Sequence, residues 1–141
     1  MTIRLAEEKD YEEIMNLYNN FVGEDRYSKR DNDSFKIVLK SPTNFIFVAE
    51  DEGRLVGFST FSVRNVVRYP KPIAELDELF VGIAFRKHGV GKQLMEAVES
   101  KAKELGCYRL YIESAYKHEP AHKFYEDLGY EKYGYHFYKT L

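Results

Sequence analysis

Cys107 is the only cysteine in the 141-residue chain. No disulfide can therefore form within it, and a disulfide-stapled fold is excluded. The thiol sits in "GCYRLYIES", an apolar stretch with strand character, and reads as a small buried hydrophobe. Tryptophan is missing, so aromatic surface must come from 12 tyrosines and 10 phenylalanines. No run approaches the roughly 20 apolar residues of a membrane span. The first residues, "MTIRLAEEKD", lack the apolar region of a signal peptide. A cytoplasmic protein without membrane contact is the expectation. Net charge is small, -2, which gives no support to nucleic-acid binding. Repeats, low-complexity tracts and linkers are also lacking. With 44% hydrophobic residues, the chain can bury one core of ordinary domain size.

The pattern along the chain is mixed. "TIRLA" reads as a strand. Asp10 is placed to cap a helix through about Asn19, with Ile14, Leu17, Tyr18 and Phe21 on its apolar face. Residues 23–41 are polar and charged, with a second helix over Ser34–Leu39. "NFIFVAEDEGRLVGFSTFSVRNV" reads as two strands around a turn at Asp51–Arg54. Pro70 and Pro72 then break the chain before the strand "IAELDELFV". The clearest helix runs from Gly89 to Leu105: Val90, Leu94, Val98 and Ala102 recur every four residues, and Gly106 stops it. "CYRLYIES" reads as a strand and "PAHKFYEDL" as a short helix between Pro120 and Gly129. "YEKYGYHFYKTL" supplies one or two final strands. Antiparallel strands followed by strand–helix–strand imply an α/β (α+β) fold, a mixed and mostly antiparallel sheet flanked by helices.

The junction "FVGIAFRKHGVGKQL" raises the question of a ligand. A helix N-terminus leaves N–H groups unpaired and carries partial positive charge. Gly89 and Gly91 let an anion approach the main chain, and Arg86, Lys87 and Lys92 add cationic charge. A P-loop is excluded, because Arg86 stands where its first glycine belongs and Gln93 follows Gly91-Lys92. A dinucleotide fingerprint fails at Leu94, where a third glycine is needed. Two readings stay open on this segment alone: a diphosphate site, or a glycine-rich turn that binds nothing.

The motif Arg86-x-x-Gly89-x-Gly91 resembles the signature loop of the GNAT superfamily of acyl-CoA-dependent N-acyltransferases. Upstream, "AELDELFV" is similar to that family's central strand. Downstream, Ala121, Phe124, Tyr125, Gly129 and Tyr130 fall in register with its Ala-x-x-Phe/Leu-Tyr-x-x-x-Gly-Phe/Tyr segment. The resemblance covers residues 74–130, and the N-terminal half by element order. It implies one GNAT-like domain over residues 1–141 whose central strands splay apart, with Gly82 compatible with that opening. It implies acetyl-CoA as co-substrate. The main chain from Lys87 through His88, Gly89, Val90 and Gly91 to Lys92 would bind the coenzyme A diphosphate, with Arg86 beside it. Leu79, Phe80 and Val81 would pair with the pantetheine amides as with an added strand. His118 stands where the family often has asparagine against the pantetheine arm.

Acyl transfer to an amine needs a neutral nucleophile, a donor for the oxyanion and a proton for the departing thiolate. An alkyl ammonium has a pKa of about 10.4, so a base is useful at neutral pH. Strand alternation puts Glu75 and Asp77 on one face and Glu78 on the other, unless a bulge intervenes. Glu75 and Asp77 match places where the family carries its base, with Glu75 favoured. All three are otherwise ordinary surface acids. Tyr125 matches the family tyrosine beside the cofactor sulfur and would protonate the thiolate; otherwise it is one more core tyrosine. The N–H of Phe80 or Val81 would serve the oxyanion. His118 and His122 have a four-residue helical spacing but no third ligand, and no metal is expected. His88 reads as a solvated neighbour of the loop.

The family builds its acceptor pocket from the first helices. Here that region holds Glu24, Asp25, Asp31 and Asp33 among Arg26, Lys29 and Arg30, which reads either as a polycation site or as solvated surface. The expected function is therefore N-acetyl transfer to a primary amine of a small molecule or protein, without a covalent intermediate. A non-catalytic acyl-CoA-binding regulatory module is the alternative. Many members of the family dimerise, so a homodimer is compatible.

Overall fold

The structure is a computed structural model and describes residues 1–24 and 33–141. It divides into two compact units, Met1–Tyr111 and Ile112–Leu141. Five strands, β1 (Thr2–Leu5), β2 (Asn44–Asp51), β3 (Arg54–Arg64), β4 (Ile73–Val81) and β5 (Arg109–Ile112), lie side by side in chain order. The β1–β2, β2–β3 and β3–β4 ladders are antiparallel, and the sheet as a whole is mixed, as the sequence implied. The β2–β3 hairpin turns at Glu52-Gly53, with φ of 48° and 77°. Positive φ at both central residues matches the right-handed twist of the flanking strands.

The helices of the first unit cover both sheet faces. Helix α1 (Tyr11–Val22) runs three residues past the expected end, to Gly23 in a left-handed conformation. With α2 (Asp33–Lys40), it packs Ile14, Leu17 and Phe35 against Val48, Phe58 and Phe80. Asp10 does not cap α1. Its buried carboxylate instead accepts the Glu7 N–H at 2.7 Å and both guanidinium nitrogens of Arg4, at 2.8 and 2.9 Å. That pairing holds the Asp10 carboxyl below the usual carboxylate range.

Helix α3 (Val90–Glu104) covers the opposite face. Val90, Leu94, Val98 and Ala102 are all buried, so the four-residue repeat is the stripe that faces the sheet. Gly106 ends it at φ 76°, and Cys107 N–H closes on Ala102 O at 2.9 Å. Cys107 is half-buried and precedes β5 rather than lying within it. No helix among the described residues is long and apolar enough to cross a membrane.

In the second unit, α4 spans Glu119–Asp127 with Pro120 in its first turn. The expected final strands do not form: residues 130–141 carry no helix or strand. Tyr135, Phe137 and Tyr138 remain exposed. An alternating pattern defines a strand only when a neighbouring ladder takes up its N–H and C=O groups, and the sheet ends at β5.

Candidate functional site

The junction of β4 with α3 brings together most of the predicted cofactor residues. Gly82 N–H bonds Val56 O at 2.8 Å, while Val81 stands opposite Gly57 and Phe80 opposite Phe58. In an antiparallel ladder, residues that exchange hydrogen bonds alternate with residues that do not. Gly82, Phe80 and Glu78 thus turn their amides toward β3. Leu79 and Val81 turn theirs away from it. Of the two oxyanion donors considered, Val81 N–H faces outward and Phe80 N–H faces the ladder.

Beyond β4, a short 3-10 turn at Ile83–Phe85 leads into Arg86. Lys87 and Gly89 both have positive φ, 64° and 83°. Gly89 is the residue before α3, and its carbonyl receives the Gln93 N–H at 3.0 Å. Helical geometry leaves the N–H groups of Val90, Gly91 and Lys92 with no carbonyl one turn behind them. Arg86, Lys87, His88, Gly89 and Lys92 are exposed. This corner therefore presents main-chain donors, a helix dipole and cationic side chains together, a combination that suits a diphosphate.

Gly57 sets the height of the helix. A Cβ there would lie 2.8 Å from Phe80 O, 3.3 Å from Leu94 Cδ1 and 3.4 Å from Val90 Cγ1. Its bare Cα lets the first turn of α3 settle on the sheet beside the end of β4. The signal in the sequence was a glycine inside a strand pattern, and the sequence alone did not connect it with the site.

The three acids are not arranged as simple alternation predicts. Thr60 stands opposite Glu78 and Phe61 opposite Leu76, so Asp77 is the extra residue of a bulge. Ser62 stands opposite Glu75. Because Thr60 and Ser62 are two apart on β3, Glu78 and Glu75 share a face. Phe58 and Phe80 lie on that same face, against α1. Glu75 is bound to Arg64, with Oε2 2.5 Å from Nη1. Glu78 accepts the Thr60 hydroxyl at 2.7 Å. Glu78 retains exposed surface, yet crowding by protein around its carboxyl strips away enough water to raise its pKa above the ordinary value.

In the second unit, Tyr125 is half-buried on α4, its ring edge-on to Phe124 and Tyr130. Desolvation pushes its phenol up to about 12, so it stays protonated at neutral pH. His118 stands just before α4, and its carbonyl receives the Ala121 and His122 N–H groups. The His122 ring lies 2.8 Å from Ala115 O through Nε2, so that nitrogen is engaged with the main chain. Glu24 and Asp33 flank the segment expected to receive the acceptor; Asp25, Arg26, Lys29, Arg30 and Asp31 lie outside the described residues.

Comparison with known proteins gives the class independently of the amide-rich corner. The model of the acetyltransferase (GNAT) family matches residues 10–130. The chain belongs to that family, whose members use acetyl-CoA. A relative described as an uncharacterised N-acetyltransferase of Methanocaldococcus jannaschii is 28% identical over 93% of this chain, which spans 61% of that protein's length. Among solved structures, a Bacillus halodurans protein described as a transcriptional regulator is 26% identical, with a TM-score of 0.91 over 99% of each chain. An aminoglycoside acetyltransferase from an uncultured soil metagenomic sample is 25% identical, with a TM-score of 0.88 over 99% of this chain and 95% of that one.

Proposed function

We propose that the protein transfers the acetyl group of acetyl-CoA directly to a primary amine. One observation carries this reading: near the end of β4, Leu79 and Val81 turn their main-chain groups away from β3, and the junction that follows ends in the helical amides at the start of α3, which have no carbonyl one turn behind them. In that order they would hold an extended amide-bearing arm and then its diphosphate. Lys87 through Lys92 would hold the diphosphate, and Leu79 and Val81 the arm's amides.

When bound, the thioester supplies the acyl carbon and a thiolate leaving group. Glu78 would take the proton of the acceptor ammonium. Its raised pKa brings it nearer to neutrality than an ordinary glutamate, which improves a general base at neutral pH. Glu75 and Asp77 remain the other carboxylates of the strand, but the Arg64 pair occupies Glu75. The nitrogen would then add to the acyl carbon, moving negative charge onto the acyl oxygen; as that charge collapses the carbon–sulfur bond breaks, and the nitrogen sheds its second proton to water. Val81 N–H, which turns away from β3, would receive the oxyanion, and Tyr125, from its match to the family tyrosine beside the sulfur, would protonate the thiolate. Cys107 is not needed, since burial raises its thiol pKa and weakens it as a nucleophile.

For the acceptor we propose a small polyamine, an aminoglycoside-like or amino-acid-like amine, or a protein amine. The similarity to an aminoglycoside acetyltransferase supports the small-molecule end of that range. The decisive experiment measures free-thiol release from acetyl-CoA across polyamines, aminoglycosides, amino acids and peptide N-termini. Acetylation of at least one class is expected. Tight acetyl-CoA binding with no acetylated product from any class would favour the regulatory module instead.

A further inference from the structure

Arg86 is exposed, but its side chain does not extend away from the loop. It folds back along β4, where Nε donates to Val81 O at 3.0 Å. Its guanidinium carbon lies 5.6 Å from the centre of the Phe80 ring. Val81 O is one of the groups that the ladder turns away from β3. The chain has thus placed its own cation on the carbonyl at the open end of the strand, one residue before the amide-rich loop begins.

Resting on the acetyl-CoA reading above, we infer that Arg86 is a specificity-determining residue: it covers the Val81 carbonyl until a diphosphate draws the guanidinium away. A neutral carbonyl offers a guanidinium one ordinary bond. A diphosphate offers paired, charge-assisted bonds that the planar fork matches. Binding at residues 87–92 therefore gives Arg86 a stronger partner close by. Its departure frees Val81 O for an amide N–H of the donor's arm. The two halves of the donor become coupled: the diphosphate favours docking of the arm, and by linkage the arm favours the diphosphate to the same extent. Thioesters with an arm but no diphosphate are disfavoured, because they must compete with Arg86 themselves.

The test is equilibrium binding, by calorimetry or amide NMR titration, to the full chain. The probes are coenzyme A, pantetheine (the arm without the diphosphate) and ADP (the nucleoside diphosphate without the arm), applied to wild type, Arg86→Ala and Arg86→Gln. In wild type, saturating ADP should tighten pantetheine binding by about 10-fold, within the usual range of such couplings. In Arg86→Ala, pantetheine alone should bind about 10-fold tighter than to wild type, ADP should bind more weakly, and the coupling should vanish. Arg86→Gln retains a donor for the carbonyl without the charge, so pantetheine should stay weak and unresponsive to ADP. Unaltered or weaker pantetheine binding to Arg86→Ala overturns the inference, as does coupling that persists without Arg86. If wild type binds coenzyme A but the fragments are uncoupled, only the Arg86 exchange fails. If wild type does not bind coenzyme A, the acetyl-CoA reading fails with it.

Discussion

Replacing Glu78 by glutamine tests the base assignment quantitatively. Glutamine keeps the shape and an oxygen for the Thr60 hydroxyl, which now donates to Glu78 across 2.7 Å. It removes only the ability to take a proton. For an acceptor amine with a pKa of about 10.4, roughly one molecule in 10³ is neutral at pH 7.5. An enzyme without its base must wait for that fraction, so kcat/KM should fall by about 10³-fold, inside the usual 10²–10⁴-fold range for general-base catalysis. The loss should shrink about tenfold per pH unit up to pH ~10, because the neutral amine grows at that rate. Stability should move the other way. Crowding raises the folded-state pKa of Glu78, so its protonated form is the one the fold prefers. The cost of its charge therefore sets in as pH rises past the unfolded value of about 4.3, is complete above the raised folded value, and is absent below about 4.3. Glu78→Gln should therefore melt no lower than wild type at pH 7, with the two converging near pH 4. Stopped acetyl-transfer assays from pH 6 to 10 and calorimetric melts at both pH values read these quantities. A kcat/KM within threefold of wild type at pH 7.5, with a parallel pH profile, would refute the assignment. So would the same steep profile in Glu75→Gln but not in Glu78→Gln.

Tyr125→Phe should lower turnover by about 10²-fold or more while coenzyme A affinity, read by calorimetry, changes little. A collapse in affinity would make Tyr125 a packing residue. Gly57→Ala should cost about 1–3 kcal/mol, seen as a lower melting temperature, because the added Cβ meets Phe80 O at 2.8 Å. An unchanged melting temperature would show that β3 and β4 can ease apart at this point without cost. Cys107→Ser should retain turnover within a few-fold of wild type in the thiol-release assay, since direct transfer needs no enzyme thiol. Abolished activity in a folded variant would point to a covalent acyl-enzyme.

What could be read along the chain was whatever consecutive residues encode. The four-residue spacing from Val90 to Ala102 predicted both α3 and its buried stripe. Glu52-Gly53 predicted the hairpin turn, and Arg86-x-x-Gly89-x-Gly91 marked the loop. These features depend on local geometry, so the sequence alone determined them. Three others depended on a partner strand or a neighbouring group. The bulge at Asp77, which moves Glu78 onto the face of Glu75, exists only in register with Thr60 and Phe61. The outward turn of Val81, and the guanidinium laid upon it, follow from pairing with β3. Residues 130–141 have a strand's alternation but no strand, because hydrogen bonds between strands belong to the pair and not to either sequence. The tertiary structure decided which carboxylates share a face and which amides turn away from β3, since a residue's face is fixed by the strand it lies against.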